Sequence, residues 1–461
     1  MEKHIENLNE VSQKIRKKVH GISALRIIPT IFLIIIFVGT LLLMLPVASK
    51  SGEGTGFTDA LFTATSATCV TGLIRFDTYT HWTTFGQIVI LCMIQIGGIG
   101  FMSIPLWLVS LTGHKIGLNS RVLMQNSISA PQVGGVVKLT RFLLLGTFMI
   151  EGLGAVLLSA VFIPKYGPGK GIFYSIFHSI SAFCNAGFDL MGGEEQFSSL
   201  VTMGSNWYLN LVLMTLIIVG GLGFFVWRDL VVTRFHFKKC KLHTKIVLTT
   251  SAVLIILGAV AIFLLELGED GVQGKSIAEQ GLNALFQSVT TRTAGFNTVV
   301  LTKLTESSIF MMIMLMLVGG SPGSTAGGMK TTTIAVLTIS IISIFRRKKS
   351  EEAFGRRMEE GVMRTAACVF MIYLLLINFS AMLISKLENV TMLTALFETT
   401  SALGTVGLTL GITPQLGMFS KMLLAALMFV GRVGSLTILL AFSSPKKMVA
   451  SKLPLEKIQI G

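Results

Sequence analysis

Charge is what this 461-residue chain has least of: Asp, Glu, Lys and Arg supply 13% of it, against 52% hydrophobic residues. A soluble chain of that length would need about twice the charge to coat its surface. Cysteine is scarcer still. Cys69, Cys92, Cys184, Cys240 and Cys368 are odd in number and lack metal-ligand spacing, so they are expected to be free thiols rather than a disulfide framework or a zinc site. There is no His-Glu-x-x-His, no pair of intramembrane aspartates and no nucleophile constellation, so the chain is not expected to be an enzyme. Without a P-loop or a dinucleotide fingerprint it is expected to hold no nucleotide site of its own, and ATP-driven transport would need another chain. Low-complexity tracts and long linkers are absent as well.

What fills the chain is apolar blocks of about 20 residues, the length that crosses a hydrocarbon core of about 30 Å. With a mean hydropathy of +0.74 this is the pattern of a polytopic, all-α membrane protein. The first apolar run follows a polar, basic start (Lys14, Arg16, Lys17, Lys18) and is too long for a signal peptide, so it is expected to remain as a helix. The net charge is +15, and 27 of the 38 Lys and Arg crowd five segments: the start through Arg26, Lys115–Arg141, Arg228–Lys245, Arg346–Arg364 and Lys446–Lys457. The positive-inside rule makes those segments cytoplasmic, with both termini inside the cell membrane. Topology thus accounts for the basic charge, and no nucleic-acid partner is expected. The stretch from Arg346 to Arg357 is the most charged, a solvated loop or a contact for a cytosolic partner or anionic lipid.

Between the long runs, four short polar segments end in a lone glycine: Phe62 to Gly72, Phe177 to Gly187, Phe286 to Gly295 and Phe397 to Gly407. The third is one residue shorter than the others. Thr58-Asp59, Ser276 and Asn389 to Thr391 are expected to cap the short helices, and Gly167-Pro168-Gly169 opens the second. A helix of about 10–12 residues spans only half a bilayer, so the chain must turn back. Irregular backbone at that depth persists only where it packs in protein or lines a water-filled cavity. The expected layout is a tail (1–20), a first repeat (21–113), a linker (114–137), second and third repeats (138–236, 237–347), a linker (348–362), a fourth repeat (363–443) and a tail (444–461). Each repeat holds a first helix (about 24–46, 138–163, 244–266, 363–385), a pore segment and a second helix (about 84–111, 207–232, 308–345, 418–442). Carbonyls just before each glycine can replace the water around a dehydrated cation: Val70 and Thr71, Asn185 and Ala186, Thr293 and Ala294, Thr405 and Val406.

The second helices carry Gly97-Gly98-Ile-Gly100, Gly220-Gly221-Leu-Gly223 and Gly431-Arg432-Val-Gly434, mostly read as tight helix packing. The third instead holds Gly319, Gly320, Ser321, Pro322, Gly323, Ser324, Thr325, Ala326, Gly327, Gly328, Met329 and Lys330, which cannot sustain a regular helix. Arg432, Arg292, Glu398 and Glu151 are ionisable residues in apolar surroundings. Arg292 and Glu398 are expected to form a buried pair; Glu151 either has an ion or proton role or is a satisfied helix contact.

The motifs Thr68-Cys-Val-Thr-Gly72-Leu, Cys184-Asn-Ala-Gly187-Phe-Asp, Arg292-Thr-Ala-Gly295-Phe-Asn and Gly404-Thr-Val-Gly407-Leu-Thr resemble the K⁺ transporter superfamily that includes Trk, Ktr and the plant HKT proteins. The resemblance covers residues 20–445 and, given the short tail before the first helix, is greatest to the Ktr-type membrane subunit. It implies four linked M1–P–M2 repeats in pseudo-fourfold array around one pore, K⁺ uptake stimulated by Na⁺, a homodimer in the bilayer and a cytosolic ring of nucleotide-binding regulatory subunits. It also implies a gate made by the loop from Gly319 to Lys330 together with Arg432. In some plant relatives a serine in the first filter goes with Na⁺ preference; Gly72 implies K⁺ here. A Na⁺-selective or K⁺/Na⁺ transporter of the same fold is the alternative, and an alternating-access carrier a further one, although such carriers use inverted rather than parallel repeats.

Overall fold

The computed structural model describes residues 24–100, 136–269, 276–348 and 350–434. These form helices in the order α1 (Ala24–Leu43), α2 (Phe57–Thr68), α3 (Thr84–Ile99), α4 (Val136–Tyr166), α5 (Pro168–Phe183), α6 (Trp207–Leu222), α7 (Phe224–Val232) and α8 (Leu242–Leu265). Then follow α9 (Ile277–Thr290), α10 (Glu306–Leu317), α11 (Thr331–Phe345), α12 (Val362–Glu388), α13 (Met392–Gly404) and α14 (Met418–Val433). A two-residue ribbon, Glu352–Ala353 with Arg356–Arg357, is the one sheet among the described residues.

Among the described residues three stretches are long and apolar enough to cross a bilayer (Val137–Tyr166, Leu242–Leu265, Val362–Glu388), and α6 with α7, bent by 92°, is long and apolar enough when the two are taken as one span. Large apolar side chains cover their outer faces: Met149, Val156, Ile256, Leu264, Leu375 and Phe379 are all exposed, which suits a surface bathed in lipid. The short helices α2, α5, α9 and α13 are the reverse. They run 12, 16, 14 and 13 residues, somewhat longer than the segment length expected, and their carboxyl-terminal halves are buried.

Packing follows one rule. Each short helix sits against the long helix before it (α1 and α2, α4 and α5, α8 and α9, α12 and α13). Each following helix then also touches the short helix of the next group: α3 touches α5, α6 touches α9, α10 touches α13, and α14 returns to α2. The contacts close a circuit. An ion pair reinforces its closing joint, since Lys421 Nζ on α14 lies 2.7 Å from Asp59 Oδ1 on α2, with Arg75 Nε 3.7 Å from the same oxygen.

Two expectations about local structure change. Asp59 does not cap α2, whose N-cap is Gly56 without a side-chain bond, because its carboxylate is taken up by Lys421 and Arg75. Ser276 does form a capping box with Glu279, and Thr391 accepts from Thr394 N. The second helices are not continuous. α3 ends at Gly100 (φ +90°), α6 turns into α7 at Gly223 (φ +93°) and α14 ends at Gly434 (φ +95°). The last glycine of each Gly-rich motif therefore ends the helix in a conformation other residues rarely adopt, and Gly223 is also closely packed, since a β-carbon there would lie 2.6 Å from Pro322 O. The parts of the expected second helices at 101–111 and 435–442 lie outside the described residues.

Candidate ion filter and intramembrane loop

Each short helix ends by turning its chain sharply. Val70, Asn185, Thr293 and Thr405 lie at φ +57°, +58°, +68° and +52°, and Gly72, Gly187, Gly295 and Gly407 at +94°, +71°, +82° and +91°. The residue between has negative φ in every case. Alternating handedness cancels the side-to-side alternation of an ordinary strand and turns successive carbonyls the same way. The turn comes from helix termination. In the first, second and fourth segments it is a Schellman pair. Thr71 N bonds Ser66 O at 2.8 Å and Val70 N bonds Ala67 O at 3.2 Å; Ala186 with Ser181 and Val406 with Ser401 repeat the longer bond at 2.8 Å. In the third, Ala294 N bonds Thr290 O, four residues back instead of five. That absorbs the missing residue, so the shorter segment reaches the same place.

The four glycines meet in a ring. A β-carbon on Gly72 would lie 2.5 Å from Ala186 O, one on Gly187 2.8 Å from Ala294 O, and one on Gly295 2.7 Å from Val406 O. One on Gly407 would strike Thr71 O. Each glycine thus faces the carbonyl of the next segment, and the fourth closes on the first. Glycine is required both for its φ and for lack of room. The twelve residues from Val70 to Gly72, Asn185 to Gly187, Thr293 to Gly295 and Thr405 to Gly407 lie together, and all are buried. The hydroxyls of Thr71, Thr293 and Thr405 are buried without a protein partner, which fits a polar path.

A set of clamps was not anticipated. Four residues after each Phe stands a Ser or Thr. Ser66 Oγ accepts from Gly72 N and Ser401 Oγ from Gly407 N, both at 3.1 Å. Ser181 Oγ donates to Phe188 O at 2.7 Å and Thr290 Oγ1 to Phe296 O at 2.5 Å. The recurring Phe-x-x-x-Ser/Thr spacing was the available signal.

Against the ring runs the segment from Val318 to Lys330, folded on itself by a bond from Gly319 N to Met329 O (2.8 Å). It is tied to neighbours on both sides. Ser321 N bonds Gly221 O at 3.0 Å, Thr325 N bonds Gly220 O at 3.3 Å, and Thr325 Oγ1 bonds Phe183 O at 3.0 Å at the end of α5. On the other side Gly328 N bonds Gly431 O at 3.1 Å, and β-carbons on Gly327 and Gly328 would meet Thr405 and Gly404. Lys330 Nζ bonds Ala326 O (2.9 Å) and Gly327 O (3.3 Å), so its ammonium is held by the loop's own carbonyls. The Arg432 guanidinium completes the crossing: Nη1 donates to Thr325 O, and Nη2 donates to Gly97 O and, at 3.1 Å, to Gly98 O. Gly97, Gly220 and Gly431 let α3, α6 and α14 lie against the carbonyls of Thr68, Phe183 and Leu403.

The expected Arg292–Glu398 pair does not form. Arg292 Nη2 bonds Ser251 Oγ at 3.0 Å, whereas Glu398 accepts from Thr413 Oγ1 (2.8 Å), Leu410 N (3.1 Å) and Thr409 Oγ1. Arg292 lies at the turn that ends α9, and Glu398 lies mid-helix beside the chain returning from Gly407, so each bonds within its own group, and the Arg292 Nε stays buried without a hydrogen-bond partner. Cys69, Cys92, Cys184, Cys240 and Cys368 are free thiols.

Comparison with known proteins agrees with this geometry. The family model "TrkH: Cation transport protein" matches residues 23–452. The potassium/sodium uptake protein NtpJ of Enterococcus hirae is 39% identical over 98% of this chain and 99% of its own. Ktr system potassium uptake protein B of Bacillus subtilis is also 39% identical, over 90% of this chain and 92% of its own. The crystal structure of the potassium transporter TrkH from Vibrio parahaemolyticus shares the fold, with a TM-score of 0.71 at 19% identity over 91% of this chain and 84% of that one. The chain is a membrane transporter rather than an enzyme, and it belongs to the TrkH family of cation transport proteins.

Proposed function

We propose that the chain takes up K⁺ across the cell membrane through the ring of carbonyls around Gly72, Gly187, Gly295 and Gly407. The closed circuit of glycine against neighbouring carbonyl carries this reading. A cation at the centre would meet oxygens contributed by four segments in place of its hydration shell. The carboxyl ends of α2, α5, α9 and α13 converge there, and their negative dipole ends favour positive charge. The four helix groups act as M1–P–M2 repeats in pseudo-fourfold array, with the boundaries and cytoplasmic termini expected from sequence.

The loop from Gly319 to Lys330, with Arg432, is the gate. It arises in the third group, bonds the second and fourth, and through Arg432 is joined to the first, so it lies across the axis beneath the ring. Relatives named for the Ktr system support a cytosolic partner, which we take to be a ring of nucleotide-binding subunits beneath a homodimer. The relative named for potassium and sodium uptake favours a role for Na⁺, as activator or as a second transported ion.

The test is cation flux in proteoliposomes containing the full chain, with K⁺, Na⁺ and NH₄⁺ compared with and without the cytosolic subunit. K⁺ flux that saturates and exceeds Na⁺ flux is expected. No cation flux under any condition would refute the reading, and Na⁺ flux exceeding K⁺ flux would replace it with the Na⁺-selective alternative.

A further inference from the structure

Glu151 serves neither the ring nor the loop. It stands midway along α4, about 22 Å from either end at 1.5 Å per residue, which is the depth of the bilayer centre. It is 4% exposed. Gln95 Nε2 donates to Oε1 and Oε2 at 3.0 and 2.9 Å, and Cys184 Sγ lies 3.7 Å from Oε1. A carboxylate has about four acceptor sites, so one amide and one weak thiol leave acceptor capacity unused. Among the described residues no Lys, Arg or His pairs with it. An intramembrane acid without a cation is costly and marks a site by default.

Beside the carboxylate, α3, α4 and α5 enclose a crevice of about 340 Å³ whose other walls include Leu91, Cys92, Phe148, Ile176 and Ile180. Small-molecule sites begin at about 300 Å³. Its rim lies on the face the bilayer would bathe, since Phe148 and Ile176 are 53% and 41% exposed. Gly152, next to the carboxylate, has open space before it, for a β-carbon there would meet no atom within 4 Å.

We propose that this crevice binds a lipophilic cation, an alkylammonium ion that enters sideways from the bilayer, donates its N–H groups to Glu151 and lays its chain along Leu91, Phe148 and Ile176. The acid selects the charge, the apolar walls select the chain, and the exposed rim sets the route. Cys184 directly precedes Asn185, so an occupant would act on the second filter segment. That consequence rests on the proposed conduction pathway, whereas binding itself does not.

The test is equilibrium binding of radiolabelled dodecylammonium to the full chain in liposomes, corrected with protein-free liposomes, with radiolabelled dodecanol as the uncharged control. We expect one saturable site per chain for the amine and none for the alcohol. Glu151→Gln should weaken the site at least tenfold. Gly152→Leu, whose β-carbon would meet no atom within 4 Å, should fill the crevice and abolish binding while leaving thermal unfolding unchanged. No saturable amine binding to the wild type, as when a second copy of the chain covers this face, overturns the proposal. So does equal binding to Glu151→Gln, or equal saturable binding of the alcohol. K⁺ flux of the same vesicles without amine reports separately on conduction.

Discussion

Removing Arg432 tests the proposed gate most sharply. Its guanidinium makes one bond to the loop, at Thr325 O, and bonds to Gly97 O and Gly98 O at the end of α3, so it straps the loop to α3. A hydrogen bond to a charged group contributes about 1.5–3 kcal/mol, which is about a tenfold to hundredfold change in a closed-to-open ratio. Arg432→Ala should therefore raise the unidirectional K⁺ flux of proteoliposomes at least tenfold when the loop limits passage. Arg432→Lys separates two physical accounts of the residue. An ammonium keeps the charge but is a point donor that cannot fork to carbonyls on both sides. If the strap holds the gate, Arg432→Lys should resemble Arg432→Ala; if charge alone repels the cation, it should resemble the wild type. Flux of Arg432→Ala within twofold of wild type would refute the reasoning in both forms.

Gly295→Ala should abolish selective K⁺ flux in the same vesicles, because the left-handed φ costs about 1–2 kcal/mol and the new methyl displaces Val406 O from the ring. Ser401→Ala removes the acceptor of Gly407 N without adding volume; the loss of about 1–3 kcal/mol at the buried N–H should weaken K⁺ affinity about tenfold while the detergent-solubilised protein elutes unchanged on gel filtration. Lys421→Met should lower thermal stability more than Lys165→Gln, since it leaves Asp59 with only the longer contact to Arg75 at the α14–α2 joint that closes the circuit. Outside the membrane, burial works to raise the Glu194 carboxyl, but bonds from Lys165 and Tyr166 prevail and hold it below the usual carboxylate range. A depressed carboxylate stabilises the fold above its unfolded pKa of about 4.3 and loses that contribution as pH falls through the lower folded value. Lys165→Gln, breaking an exposed pair, should thus cost under about 1 kcal/mol at pH 7 and nothing measurable once Glu194 is protonated, as read from thermal melts across pH.

Composition and periodicity determined that this chain lives in a membrane, where its long helices run, and that four polar segments end in lone glycines. Those features are local. Apolar length follows from bilayer thickness, and a glycine ending a buried short helix reflects a φ that other residues resist. The break at the Gly-rich third segment was legible for the same reason, since five glycines and a proline in twelve residues oppose a helix whatever surrounds them. Tertiary structure decided what depends on partners distant in sequence. Gly100, Gly223 and Gly434 looked like packing residues, yet they end or bend their helices, because the same residue type serves close approach and positive φ and only the three-dimensional path separates the two. Arg292 and Glu398 looked like a pair by charge, but each bonds hydroxyls nearer at hand instead. Arg432 was conspicuous in the sequence as a charge among apolar neighbours. That it holds carbonyls of both the loop and α3, more than 330 residues away in the case of Gly97 and Gly98, could come only from the closing of the circuit.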